Sequence, residues 1–89
     1  MSPKEWIAVY NGHNIRVTDT LLRGGKLYID DDCLDTTDDM FALGSSPALR
    51  AQVTPTHGEP FLVEVFMEGL TAIKAKICVN GTQVGGDVF

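Results

Sequence analysis

Short runs of β-forming residues with a two-residue periodicity recur along the chain. Residues 73–79, IKAKICV, illustrate the pattern, because the odd-numbered positions are apolar while Lys74 and Lys76 fall on the other face. No segment keeps the periodicity of a helix over a dozen residues. The pattern therefore predicts an all-β chain in which helix is limited to one or two turns.

Two Asn-Gly pairs mark the positions of tight turns. Asn11 and Gly12 separate IAVY from HNIRV, and Asn80 and Gly81 separate IKAKICV from TQV. Asn-Gly suits a two-residue turn with positive φ at both central positions, which matches the twist of a β-hairpin. We expect an antiparallel hairpin at each site.

The segment FLVEVFM, residues 61–67, is apolar on both faces of the strand that it predicts. Alternation places Leu62 and Phe66 on the face opposite Phe61, Val63 and Val65. A strand of this kind is typical of a central position in a sheet. One of its two faces must then be covered by a loop, by the helical turn or by another chain.

The two halves of the chain resemble each other. KLYIDDDCL, in the first half, aligns with KICVNGTQV at an offset of fifty residues, and Ile15 aligns with Val65 at the same offset. We expect a single domain, residues 1–89. Either it is made of two pseudo-repeats at about 7–40 and 57–89, or the match is a chance similarity between amphipathic strands. Two such units facing each other predict an antiparallel β-sandwich or flattened barrel of about seven strands.

The middle of the chain allows two interpretations. TTDDMFALG, residues 36–44, fits one helical turn ending at Gly44 or a short strand carrying Met40, Ala42 and Gly44. The sequence SSP that follows, residues 45–47, predicts an interruption of the regular structure. ALRAQV, residues 48–53, then predicts a strand whose apolar side chains point inward.

Composition limits the classes of partner. The chain has 89 residues, 44% of them hydrophobic, and a net charge of −5. Its seven basic residues are scattered, and an acidic surface repels phosphate, so we expect neither nucleic acid nor an anionic membrane as a partner. The chain has no apolar run of the ~18 residues that a membrane helix needs, and it lacks the apolar region of a signal peptide. We therefore expect a cytoplasmic protein.

Half of the acidic residues lie in one segment, IDDDCLDTTDD, between Asp30 and Asp39. The spacing does not match a calcium-binding EF-hand loop, which needs Gly at its sixth position and Glu at its twelfth. Asp35-Thr36-Thr37 is similar to the Asp-Thr-Gly loop of dimeric aspartic proteases, but Thr37 stands where Gly is required. A solvated strand edge is the simpler interpretation. The alternative is a hydrolytic or metal-assisted enzyme that uses this cluster.

The remaining chemically active side chains form no motif. Cys33 and Cys78 lack the spacing of a redox or zinc motif, and neither His13 nor His57 has a nucleophile at a suitable spacing. The sequence therefore gives no catalytic residue, no metal ligand set and no cofactor site.

Residues 11–45 contain the motifs NGHNIRV, LYIDDDCLD and MFALGS in that order. This region resembles the repeat of the Fas apoptotic inhibitory molecule family, whose domain is an antiparallel β-sandwich. Asp31 replaces the turn glycine of that family, and Asp39 stands where tryptophan is usual. The tail VNG…GGDVF is similar to that of small bacterial proteins, some carried on integron gene cassettes. The resemblance implies the sandwich fold, and we do not extend it to an apoptotic role.

These observations favour a non-enzymatic binding or protein-interaction module. The face of residues 61–67 that carries Leu62 and Phe66 needs a cover, and two-fold homodimers are the commonest soluble oligomers. We therefore expect a homodimer, or a complex with another protein, with Leu62 and Phe66 at the contact. Trp6 either caps the core or joins that contact.

Overall fold

A computed structural model describes residues 4–20, 24–38, 42–69 and 73–89. The described residues form eight β-strands. In chain order they are β1 (Lys4–Tyr10), β2 (His13–Thr20), β3 (Gly24–Ile29), β4 (Asp32–Thr37), β5 (Ala42–Val53), β6 (Phe61–Gly69), β7 (Lys74–Val79) and β8 (Thr82–Gly86).

The strands make two antiparallel four-stranded sheets, ordered β1-β2-β3-β4 and β5-β6-β7-β8. The sheets pack face to face, with β1 beside β8 at one side and β4 beside β5 at the other. Gly85 permits close approach at the first side, because a Cβ there would lie 2.8 Å from the Ala8 Cβ. The predicted antiparallel sandwich is confirmed, with eight strands and no helix in the described part of the chain.

The core lies between the sheets and follows the two-residue alternation. Buried apolar side chains come from every strand except β4 and β8: Trp6, Ala8, Ile15, Val17, Leu27, Ile29, Leu49, Ala51, Phe61, Val63, Val65, Met67, Ala75, Ile77 and Val79. Leu49 and Ala51 point inward as predicted from ALRAQV, and Val53 packs against the same cluster. The described residues include no helix that is long and apolar enough to span a membrane.

Three hairpins close through two-residue turns with positive φ at both positions. These pairs are Asn11-Gly12 (φ 48° and 80°), Asp30-Asp31 (50° and 71°) and Asn80-Gly81 (50° and 85°). Both predicted Asn-Gly hairpins are therefore present. Asp31 adopts the left-handed conformation without being glycine, which is unfavourable for a residue with a Cβ.

The two sheets share their irregularities as well as their topology. Leu34 is an extra residue where β4 pairs with β3, and Val84 is the extra residue where β8 pairs with β7. Ile15 lies opposite Ile29, and Val63 lies opposite Val79. Equivalent residues of β3 and β7 are therefore fifty positions apart in the sequence, whereas equivalent residues of β2 and β6 are 48 positions apart. The alignment of Ile15 with Val65 is therefore two residues out of register.

Strand β5 continues through residues 45–47, where the sequence predicts an interruption. Its pairing with β6 is irregular on both sides of Pro47, but the strand continues from Ala42 to Val53. Proline is tolerated because β5 is an edge strand, where one side of the backbone has no ladder partner. The predicted interruption at residues 45–47 is wrong. Ala42 to Gly44 adopt the strand alternative, and Met40 lies outside the described residues.

Candidate functional site

The outer face of the second sheet carries two large apolar side chains from β6. Leu62 and Phe66 alternate with Phe61, Val63 and Val65, whose side chains are buried in the core. Strand β6 lies between β5 and β7, so both residues are away from the edges of the sheet. Each is half-buried by its neighbours on the outer face. We call Leu62 and Phe66 the outer pair.

Lys76 and Phe89 partly cover this face beside Phe66. Lys76 lies opposite Phe66 in the ladder, with its Nζ 5.4 Å from the centre of the Phe66 ring and 4.8 Å from that of Phe89. The ammonium also donates to a main-chain oxygen of Phe89 at 3.5 Å. The ammonium contacts both rings and covers the Phe66 end of the outer pair. This contact does not extend to Leu62 at the other end.

The first sheet provides an internal comparison for the outer pair. By the ladder registers, Asn14 is equivalent to Leu62 and Thr18 is equivalent to Phe66. The same outer positions are therefore polar on β2 and apolar on β6. Since both strands are central in their sheets, the strand position alone does not explain Leu62 and Phe66.

Charged groups border the outer pair. Arg50 lies 3.8 Å from Glu64, which projects from β6 between Leu62 and Phe66. Cys78, opposite Glu64 in the ladder, is 7% exposed. Burial raises the pKa of the Cys78 thiol, so the thiol stays protonated at neutral pH.

Trp6 lies between the sheets rather than on the outer face. Its side chain is 9% exposed, and Nε1 donates to Asp87 Oδ2 at 2.9 Å. The Ala75 amide donates to the same oxygen at 3.0 Å. These two hydrogen bonds hold the pKa of Asp87 below its usual value. The structure brings Leu62 and Phe66 together on one face and separates Trp6 from them.

A second apolar area lies on the outer face of β1 and was missed by the sequence reasoning. Ile7 is 61% exposed and Val9 is 62% exposed, and they alternate with the buried Trp6 and Ala8. Its signal in the sequence is the unbroken apolar run WIAVY, which gives an edge strand two apolar faces.

The acidic segment is spread over a turn and an edge strand. Asp30 and Asp31 form the β3–β4 turn, Asp32 and Asp35 lie on β4, and Asp39 lies outside the described residues. The Asp35 carboxylate accepts from the Thr36 amide at 2.9 Å and from the Arg50 amide at 2.8 Å. Asp35 thereby links the edges of the two sheets. Within the described ranges, no three His, Cys, Asp or Glu side chains are placed to hold a metal ion.

His13 and Asp30 form a fixed pair at one end of the sandwich. His13 Nδ1 lies 2.6 Å from Asp30 Oδ2, and the Asn14 amide donates to Asp30 Oδ1 at 2.9 Å. Both contacts, the His13 contact most strongly, lower the pKa of Asp30. The His13 ring also lies 5.4 Å from the Phe61 ring, centre to centre. Sequence reasoning placed His13 beside a tight turn but could not pair it with Asp30.

Comparison of the chain with protein-family models, with curated proteins and with solved structures gives no match. The resemblance of residues 11–45 to the Fas apoptotic inhibitory molecule repeat therefore stays a prediction.

Proposed function

We propose that the chain is a non-enzymatic protein-interaction module that self-associates as a two-fold homodimer through the outer face of the second sheet. Leu62 and Phe66 lie at the centre of the contact. The observation that carries this proposal is the difference between equivalent strands, because β6 places apolar side chains where β2 places Asn14 and Thr18.

The size of the face fits this role. The molecule measures 39 × 23 × 16 Å along its principal axes, so an ordinary stable interface, which buries ~800 Å² on each partner, would use most of one sheet face. A two-fold axis near Leu62 would bring each copy's outer pair against its own equivalent. The charges that surround the pair, Arg50, Glu64 and Lys76, include both signs and allow complementary contacts at the rim.

We place the module in the cytoplasm. Cys33 is exposed and unbridged, and a thiol of this kind is compatible with a reducing compartment. The alternative partner is a different protein that binds the same apolar face, and it would compete with the second copy.

The experiment that tests the proposal is sedimentation velocity on three proteins at tens of micromolar. The original chain should sediment as a dimer of two 9.7 kDa chains. The variant Phe66→Glu should sediment as a monomer, because the contact would lose the Phe66 ring and would have to bury a carboxylate from each copy in its place. Thr18→Glu, at the equivalent position of the first sheet, is the matched control and should stay dimeric. Circular dichroism checks that each variant remains folded.

A monomer for the original chain, or a folded Phe66→Glu variant that stays dimeric, would contradict the proposal. Loss of the dimer in an Ile7→Ser variant instead, with Phe66→Glu unaffected, would assign the contact to the outer face of β1.

A further inference from the structure

A cleft opens at the end of the sandwich where the β1–β2 turn, the β3–β4 turn and the loop after β5 come together. Its volume is about 480 Å³, within the range of small-molecule sites. We call it the end cleft. It is separate from the outer pair, whose two residues do not line it.

The end cleft exists because the two sheets are connected differently. Two residues, Asn11 and Gly12, join β1 to β2, whereas residues 54–60 join the equivalent strands β5 and β6. The longer loop carries Pro55, Thr56 and His57 to the cleft, opposite Asp30 and the other residues of the β3–β4 hairpin. The cleft therefore lies at the point where the two similar halves of the molecule differ.

The end cleft is lined by two carboxylates, those of Asp30 and Asp32. Asp30 is ionised at neutral pH because its pKa is lowered, so its carboxylate can only accept, and the Nδ1 of His13 must carry the proton that joins them. Asp32 adds a second carboxylate, which has no hydrogen-bond or ion-pair partner among the described residues.

The charge of the end cleft is negative and its walls are partly apolar. Among the described residues that line it, Asp30 and Asp32 are the only acidic ones, and none is Lys or Arg. Leu34 and Val53 line the cleft beside them, and Leu34 is 48% exposed. A ligand that matches these groups carries a positive, donor-rich head and a short apolar stem.

We propose that the end cleft binds an ammonium or guanidinium group at the end of a short alkyl stem. The head lies against Asp32 and the Asp30–His13 pair, and the stem contacts Leu34 and Val53. The same chemistry is found in free alkyl amines and in the Lys or Arg side chain of a protein.

Amide NMR titrations with n-butylamine at pH 7 test this proposal, with 1-butanol as the uncharged ligand of the same length. We expect saturable shifts for His13, Asp30, Asp32 and His57 with the amine, and smaller or non-saturating shifts with the alcohol. High salt should weaken the binding, because the screening length falls to about 3 Å at 1 M. Shifts that do not saturate, that lie elsewhere or that are equal for the alcohol would overturn the proposal.

Matched variants locate the charge that is recognised. Asp32→Asn should weaken n-butylamine binding by about 2- to 5-fold, which corresponds to an exposed ion pair of 0.4–1 kcal/mol. Asp38→Asn, an exposed carboxylate outside the cleft, should leave binding unchanged. Equal effects of the two variants would show only a general attraction to the acidic protein and would contradict the assignment.

Putrescine and a capped Gly-Lys-Gly peptide then distinguish the two sources of the cation, a free amine and a protein side chain. Tighter binding of the peptide assigns the cleft to a protein side chain, and tighter binding of putrescine assigns it to a free amine. Absence of saturable binding for both probes would contradict the proposal.

Discussion

Asp30 and Asn80 make the same two hydrogen bonds in the two sheets. The Asp30 amide donates to the Asn14 carbonyl, and the Asn80 amide donates to the Leu62 carbonyl, both at 2.9 Å. In return, the side-chain oxygen of each accepts from the amide of the same facing residue, at 2.9 Å for Asp30 and 3.0 Å for Asn80. Each residue has φ 50°, the left-handed conformation that Asn and Asp tolerate best. The difference is the charge of Asp30, which also engages His13.

This equivalence predicts that Asp30→Asn is a mild substitution. The amide oxygen of Asn can still accept from the Asn14 amide, as Asn80 does from Leu62, so the free energy of unfolding should fall by less than about 1 kcal/mol. Asp30→Ala loses the side-chain bond and the tolerance for positive φ, and should cost about 1–2 kcal/mol. Urea unfolding of both variants at pH 7 measures the difference. Equal losses for the two variants would show that the turn does not depend on the side-chain oxygen.

Asp31→Gly is predicted to stabilise the protein. Asp31 has φ 71°, a conformation in which its Cβ is unfavourable, while Gly81 occupies the equivalent turn position with φ 85°. Removing the Cβ should raise the free energy of unfolding by about 0.5–1 kcal/mol, after the entropy cost of glycine is included. The reverse substitution, Gly81→Asp, meets no atom within 4 Å of the new Cβ and should destabilise by a similar amount for the same conformational reason. Thermal unfolding of both variants checks the two signs together.

Asp87 makes stability depend on pH in the acid range. Its pKa in the folded protein is below the ordinary 3.8, mainly because of the Ala75 amide and also because of Trp6. The folded state therefore favours the ionised carboxylate, so the stabilisation is fully present above about pH 4 and is lost as the pH falls through the folded pKa. Asp87→Asn should unfold at a lower temperature than the original chain at pH 7, and this difference should shrink as the pH falls below about 4.

The fluorescence of Trp6, the single tryptophan, can follow this unfolding because Asp87 contacts its ring nitrogen. If the unfolding temperatures of the original chain and Asp87→Asn differ by the same amount at every pH, the charge of the carboxylate is not involved.

The two thiols are predicted to differ in reactivity. Cys33 is exposed, whereas Cys78 is buried and its pKa is raised by that burial. Labelling of the native protein with iodoacetamide at pH 7 should therefore modify Cys33 first and leave Cys78 unmodified until the protein unfolds. Peptide mass analysis identifies the labelled site. Rapid labelling of Cys78 in the native protein would show that the outer face of the second sheet is open around β7.

Much of the fold follows from local patterns in the sequence. Asn11-Gly12 and Asn80-Gly81 determine two hairpins because their backbone preferences match the turn. Alternation assigns the inner and outer faces of β6 because side chains alternate along any strand. The continuity of β5 through Pro47 could not be predicted, since it depends on β5 lying at the edge of its sheet.

The contacts of the candidate sites depend on residues that are distant in the sequence. Trp6 and Asp87 are 81 positions apart, and the sequence around Trp6 allows a position in the core or at a contact with another subunit. The His13–Asp30 pair and the end cleft require three separate segments to be packed together. Alternation places Leu62 and Phe66 on the outer face, and their role in a dimer stays a prediction.

The most direct test of the dimer is a filtered NOE experiment on a mixed sample, in which half of the chains carry carbon isotope labels and half do not. Only contacts between two different chains give signals. We predict signals that connect Leu62 methyl groups and Phe66 ring protons of one chain with the same residues of the other. Absence of these signals at a concentration where the protein sediments as a dimer, or signals from Ile7 and Val9 in their place, would contradict the proposed contact.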